Sequence, residues 1–235
     1  ICNAIVWQDD RTRDETERLK AEGHEARTLA ISGLPLDPYF SASKLGWIMR
    51  NVELAEPLRR QGRLRLGTSD AYFFGRLTRN FVTDITTASR TGLMDLETGS
   101  WSEELCQLFG VPMQCLPEIR PSAGEFGEHI GIKVAAGIVD QQAALFGHGC
   151  LEPGMAKITF GTGAFALVNT GEQRIDGSRF GINATVAWQL AAAAPQRAIE
   201  GGLYNAASAV NWARGLKLFS EFSDIAMFDG PSALS

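Results

Sequence analysis

The stretch Val134-Ala-Ala-Gly-Ile-Val-Asp-Gln-Gln-Ala-Ala-Leu-Phe-Gly147, with Ile158-Thr-Phe-Gly-Thr-Gly-Ala-Phe165 shortly after it, decides how this chain is read. The first half is a short apolar run with β-branched ends, which predicts a buried strand. Asp140 then opens a run of good helix formers, so a carboxylate stands where strand becomes helix. In open α/β sheets ligands gather beyond the carboxyl ends of strands, and a polar residue there faces the crevice. The same position also suits a residue that merely caps its helix. Spacing alone leaves both roles open.

Residues 158–169 predict two apolar strands around Gly161-Thr162-Gly163, a tight turn whose glycines let the backbone approach a ligand closely. Consecutive N–H groups in such a turn form an anion cradle, and Thr162 adds a hydroxyl. A Gly-x-Gly in a hairpin also serves as an ordinary turn. Its closeness to Asp140 makes the pair a candidate site.

Composition narrows the function classes. The 235 residues are 45% hydrophobic and 21% charged, which suits a globular protein with a substantial core. A net charge of -5 and a pI near 5.3 argue against a nucleic-acid surface, which needs a basic stripe. The most apolar windows are broken by Gly, Asp or Gln well short of a bilayer span, so no membrane contact is expected. No secretory signal is read at the start of the sequence. Cys2, Cys106, Cys115 and Cys150 are scattered without a Cys-x-x-Cys pair and read as reduced thiols. His24, His129 and His148 show no zinc spacing.

Along the chain, residues 1–7 predict a strand ending at Trp7, and residues 9–23 an exposed, charged helix closed by Gly23. Residues 39–51 contain a helix with Leu45, Ile48 and Met49 on one side. Residues 64–77 predict a strand and then a helix capped by Ser69 or Asp70. Ser100-Trp-Ser-Glu103 has the capping-box pattern before a helix that Gly110 and Pro112 stop. Residues 117–127 read as a surface loop, residues 181–190 as an alternating strand, residues 197–200 as a short return, and residues 200–212 as the entry to another helix.

Five motifs carry a resemblance. Gly137-Ile-Val-Asp-Gln-Gln-Ala-Ala-Leu-Phe-Gly-His-Gly149 and Glu152-Pro-Gly-Met-Ala-Lys-Ile-Thr-Phe-Gly-Thr-Gly-Ala-Phe165 closely resemble the glycerol kinases of the FGGY carbohydrate kinase family. Asn3-Ala-Ile-Val-Trp-Gln-Asp-Asp-Arg-Thr12, Gly33-Leu-Pro-Leu-Asp-Pro-Tyr-Phe-Ser-Ala-Ser-Lys-Leu-Gly-Trp47 and Val82-Thr-Asp-Ile-Thr-Thr-Ala-Ser-Arg-Thr91 agree with it in order. The resemblance implies an α/β, actin-like, ribonuclease-H-like kinase fold, with two domains of mixed sheets flanked by helices around a cleft. Residues 1–149 would form most of the N-terminal, polyol-binding domain and residues 150–235 the beginning of the C-terminal, nucleotide-binding one.

The resemblance also implies roles. The activity expected is ATP-dependent phosphorylation of glycerol to glycerol 3-phosphate, with Asp140 as catalytic base lying near a Mg2+ ion. Trp7, Tyr39, Gln141 and Phe165 would bind the polyol beside Asp140. Gly161, Thr162 and Gly163 would hold the transferred phosphate, and Ala207 and Asn211 would lie beside the nucleotide. Ala207 stands where the family has glycine and Asn211 where it often has glutamine, and Tyr72 and Gly75 replace tryptophans. Thr83-Asp84 and Ser89-Arg90 read as scaffold hydrogen-bonding residues. The match begins after the family's first phosphate hairpin and its Arg-Glu substrate pair, and residues 228–235 resemble the start of a longer segment. A central part of such a kinase, catalytically incomplete by itself, is therefore expected. A cytoplasmic location and glycerol or a similar small polyol as partner follow from the same resemblance, which also allows a homo-oligomer. The alternatives are a sister kinase for another small polyol or ketose, favoured less by the Gln141-Gln142 pair, and a non-catalytic actin-like sugar-binding module.

Overall fold

The computed structural model describes residues 1–227; the segment read as the start of a longer one, residues 228–235, lies outside them. A helical layer comes first: α1 (Arg13–Ala21), α2 (Glu25–Ser32), α3 (Ser41–Asn51), α4 (Ala55–Arg60) and α5 (Ser69–Thr78). Two short strands and a helix follow, β1 (Val82–Asp84), α6 (Ile85–Ser89) and β2 (Met94–Asp95), then β3 (Ser100–Trp101) and α7 (Glu103–Phe109). Next come β4 (Glu118–Arg120), β5 (Ala123–His129), β6 (Ile132–Ala136) and α8 (Asp140–Gly147). The remainder is β7 (Ala156–Phe160), β8 (Ala164–Gly171), β9 (Asn183–Trp188), β10 (Gln196–Leu203), α9 (Ala207–Gly215) and α10 (Phe222–Ala226).

β7, β8, β10 and β9 form one four-stranded antiparallel sheet in that order. β1 pairs with β4 in parallel, and β5 with β6 as a hairpin. The largest core cluster joins α1–α4 and α7 through Leu19, Ile31, Leu45, Leu105 and Phe109. A second unites the two halves of the chain, since Ile85 and Ala88 of α6 pack with Ala184 and Val186 of β9. Gly33 permits that approach: its φ is 74°, and a Cβ there would meet the Ala184 carbonyl at 2.7 Å. Phe126 is fully buried and stacks on Phe74 with ring centres 4.4 Å apart, which joins the β5–β6 hairpin to α5.

Several expectations are corrected. Residues 1–7 form no strand, because no described segment pairs with them, and Val6 is exposed. Residues 64–67 are extended but unpaired as a strand; Leu66 N–H instead bonds the Cys115 carbonyl at 2.8 Å. Thr68, not Ser69 or Asp70, is the N-cap of α5. The capping box does not form: Ser100 lies in β3, and Ser102 alone caps α7 by accepting the Leu105 N–H at 3.3 Å. Residues 117–127 are not a plain loop, since β4 adds to β1 and β5 to β6. The apolar run before Asp140 pairs with β5 yet stays largely exposed, so continuous hydrophobicity did not mean burial among the described residues. β9 is buried at nearly every position instead of alternating, because α6 covers one face. The short return read at residues 197–200 extends to a full strand, β10, and residues 207–215 form the helix expected there.

Candidate active site

The register of the four-stranded sheet assembles one face of the site. Cross-strand partners share a face, and one row runs Lys157, Leu167, Glu200 and Asn183. The next row runs Thr159, Phe165 and Gly202. Gly202 has no side chain opposite Phe165, and a Cβ there would meet that ring at 2.9 Å. The glycine therefore makes room for the aromatic ring, which also packs against the buried cluster under α8.

Asp140 is the first residue of α8 and Val139 its N-cap, so capping does not explain the carboxylate. Its Oδ1 accepts the N–H of the next residue, Gln141, at 2.8 Å, and its side chain remains exposed. The adjacent glutamines part company. Gln142 is fully buried and donates to Thr185 Oγ1 of β9 at 3.2 Å, which leaves Gln141 toward the cleft. Gln141 Oε1 accepts a hydrogen bond from the buried Lys157 ammonium, and Gln141 Nε2 lies 3.4 Å from Asp140 Oδ2.

An aromatic wall is tied to the same sheet through Arg90. Trp7 meets Tyr39 edge-on with ring centres 5.5 Å apart, and Tyr39 stacks on Tyr204 at 5.5 Å. Lys44 fixes the first two: from within α3 its ammonium donates to the carbonyls of Val6 at 2.8 Å and Trp7 at 3.1 Å, with that of Tyr39 at 3.5 Å. Three carbonyl acceptors are what a buried ammonium needs. Arg90 reaches the same wall, its guanidinium 5.9 Å from the Tyr39 ring centre, and pairs with Glu200 at 2.6 Å.

Burial dominates the electrostatics of these groups. It pushes the Tyr39 phenol up, and the Tyr204 phenol to about 12, so both remain hydroxyl donors. It lowers Lys157, against which the carboxylates of Glu200 and Asp140 favour the charged form. Asp84, read as scaffold, is fully buried: its carboxylate accepts from Thr86, Thr87 and Ser122, and burial pushes it up.

The Gly161-Thr162-Gly163 turn joins β7 to β8 as expected, with Gly161 N–H on the Gly163 carbonyl at 2.8 Å. Its other carbonyls face α9, since the Ala206 N–H reaches the Thr162 carbonyl at 2.8 Å and the Ala207 N–H that of Gly161 at 3.2 Å. Gly163 is sterically required, because a Cβ would meet the Leu203 carbonyl at 2.7 Å. Gly161 has a nearest neighbour at 3.8 Å, so the fold itself does not demand glycine there. Open space over a bare backbone fits the approach of a phosphate chain. Asn211 lies one turn beyond Ala207 on the same face of α9.

Of the residues singled out for the site, Trp7 meets Tyr39, Asp140 adjoins Gln141, Phe165 lies opposite Gly202, and the Gly161-Thr162-Gly163 turn meets the start of α9 at Ala207, while Lys44, Arg90, Lys157, Glu200, Gly202 and Tyr204 were not singled out as site residues. Tandem aromatic contacts and cross-strand partners are set by tertiary register, and only the Gly201-Gly202 pair in β10 gave a local signal of close approach.

The comparisons with known proteins agree with this fold. The profile of the FGGY family of carbohydrate kinases, N-terminal domain, matches residues 1–147. A glycerol kinase of Geobacter sp. (strain M21) is 46% identical over 235 residues, 96% of this chain and 47% of the relative. One of Cereibacter sphaeroides is 46% identical over 232 residues, 94% of this chain and 46% of the relative. The chain thus spans about half the length of the curated relatives it matches. Among solved structures, Plasmodium falciparum glycerol kinase with ADP superposes with a TM-score of 0.90 at 32% identity, covering 95% of this chain and 46% of that one. Gluconate kinase from Lactobacillus acidophilus, at 20% identity and a TM-score of 0.78 over 94% of this chain and 45% of that one, shares the fold. The mixed α/β architecture is the actin-like kinase fold, and the chain belongs to the FGGY family of carbohydrate kinases.

Proposed function

We propose that this chain carries the polyol site and catalytic base of an ATP-dependent glycerol kinase, forming glycerol 3-phosphate. The observation that carries this reading is the placing of Asp140 beside a Gln141 anchored by Lys157, on a sheet row whose Glu200 is tied through Arg90 to the Tyr39 side of the Trp7–Tyr39–Tyr204 wall. A small polyol has an apolar carbon face and polar hydroxyls, and this corner offers both complements. Trp7 and Tyr39 cover the carbon chain, Phe165 closes the apolar side, and Gln141 and the Tyr39 hydroxyl pair the hydroxyl groups. A site built around paired hydroxyls rejects analogues that lack them.

In the proposed reaction Asp140 accepts the proton of the terminal hydroxyl as its oxygen attacks the γ-phosphorus of ATP. Phosphoryl transfer passes through a loose transition state, so orientation of the hydroxyl by Asp140 and Gln141 contributes more than base strength. The Thr162 and Gly163 N–H groups and the Thr162 hydroxyl hold the transferred group over the open Gly161 backbone, whose own N–H is taken by the Gly163 carbonyl, with Ala207 and Asn211 lining the nucleotide side. Mg2+ supplies charge neutralisation on the phosphates when bound. Asp140 is the residue that would hold it, and one carboxylate fits an ion carried mainly by phosphates and water; no group of three His, Cys, Asp or Glu forms a protein cage among the described residues.

The proposed division is a polyol-binding domain at residues 1–149 and the opening of a nucleotide-binding domain at residues 150–235; the family match ending at 147 supports it. No described helix is long and apolar enough to cross a membrane, and a cytoplasmic location is part of the proposal. The test is ATP-dependent phosphorylation by the full-length protein across glycerol, other small polyols and ketoses. Glycerol as the preferred acceptor supports the reading. Preference for a ketose transfers the site to a sister kinase, and binding of polyol without turnover makes it a sugar-binding module.

A further inference from the structure

We infer that Lys157 is a positioning residue: its ammonium fixes the orientation of the Gln141 amide, so that the NH2 group and not the carbonyl faces the substrate beside Asp140. The inference rests on the polyol kinase reading above. Lys157 lies on β7 with 6% of its surface exposed. Its Nζ donates to Gln141 Oε1 and to Thr159 Oγ1, the latter at 2.8 Å. An ammonium carries three donors and no acceptor, so it engages a glutamine amide only through the carbonyl. That contact assigns both ends of the amide, and Gln141 Nε2 is then turned to Asp140 Oδ2 at 3.4 Å.

Two physical facts make this more than packing. The terminal torsion of glutamine is broad and two-fold, so an unanchored amide would present either end to the cleft. Burying an ammonium is costly, and the hydrogen-bond partners Lys157 finds among the described side chains, Gln141 and Thr159, are neutral. A methionine would fill the same space without that cost. The charge is explained if orientation of the amide is what it contributes. An outward NH2 requires an acceptor, which a second hydroxyl of the polyol supplies through its oxygen. A deoxy analogue leaves that NH2 unpaired and is rejected.

The experiment uses the full-length protein with Lys157→Met, Gln141→Ala, their combination, and Gln141→Glu. KM and kcat are measured for glycerol, propane-1,2-diol and propane-1,3-diol, and the side-chain amide of Gln141 is followed by NMR in 15N-labelled protein. Lys157→Met is expected to raise the glycerol KM about tenfold with a smaller change in kcat, and to narrow the preference for glycerol over its deoxy analogues. It should also loosen the amide, and add nothing further to KM once Gln141 is alanine. Gln141→Glu keeps the shape and the contact to Lys157 but removes the donor, so its glycerol KM should rise by at least as much, and it reads the same point if Lys157→Met fails to fold. An additive cycle, an amide unmoved by Lys157→Met, or a wild-type KM in Gln141→Glu overturns the inference. Failure of the kinase reading looks different: the wild-type protein would bind no glycerol, and the amide signal alone would then decide, loosening upholding the anchor and no change overturning it.

Discussion

Arg90 and Glu200, 110 positions apart, meet at 2.6 Å as a nearly buried ion pair, with a hydrogen bond from Arg90 Nη2 to Glu200 Oε1 at 3.1 Å. Arg90 follows α6 and Glu200 lies mid-strand in β10, so the pair ties the first half of the chain to the four-stranded sheet. The guanidinium also lies 5.3 Å from the Phe40 ring centre, next to Tyr39. A pair so placed holds the aromatic wall against the sheet face that bears Phe165 and Lys157.

Removing one partner strands the other charge. Arg90→Leu or Glu200→Leu is expected to destabilise the protein by about 3–5 kcal/mol, while the double replacement Arg90→Leu with Glu200→Leu costs much less than the sum. Urea denaturation of the four proteins measures the coupling, and additive single effects would contradict it.

Gly202→Ala tests the sheet register. The added Cβ would stand 2.9 Å from the Phe165 ring, closer than side chains pack, so the ring must shift into the cleft. Overpacking of this kind costs about 1–3 kcal/mol. The glycerol KM should rise more than stability falls would explain, and Gly202→Ala with Phe165→Leu should recover stability but not affinity.

Much of this site was legible in the sequence, for local reasons. Two glycines about Thr162 between alternating apolar residues specify a hairpin, and Asp140 before a run of Gln, Ala and Leu specifies a helix start; both hold. The resemblance then carried Trp7 and Tyr39, whose ring centres lie 5.5 Å apart although the residues are 32 positions apart in sequence. What sequence could not give was the partner of each long side chain. Lys44 and Lys157 look like ordinary surface lysines until their carbonyl and amide acceptors are brought over them by the fold. The misread strand at residues 1–7 has the same cause, since apolar alternation specifies a strand only where another strand is present to pair with it.

The cysteines give a pH prediction. Cys106 is buried in the α-helical core, and burial raises its thiol to about 11. Because the folded value lies above the ordinary value of 9.0, the folded state disfavours loss of the proton relative to the unfolded chain. The stability this preserves is fully present below pH 9 and is lost as pH rises through about 11. Cys106→Ala should therefore flatten the fall in stability across that window, at some cost from the cavity it leaves, as read by thermal unfolding at pH 8, 9.5 and 11. With a thiol reagent at pH 8, the exposed Cys2 should react in the native protein, and the buried Cys106, Cys115 and Cys150 only on unfolding.

The central claim is that Asp140 is the base, and the measurement that tests it most directly compares Asp140→Asn with wild type in the full-length protein for glycerol binding and ATP-dependent phosphorylation. Asparagine keeps the shape of the helix start and removes the proton acceptor. The account predicts glycerol binding within about threefold of wild type and turnover reduced at least about 100-fold. Turnover equal to wild type in the folded variant would contradict it.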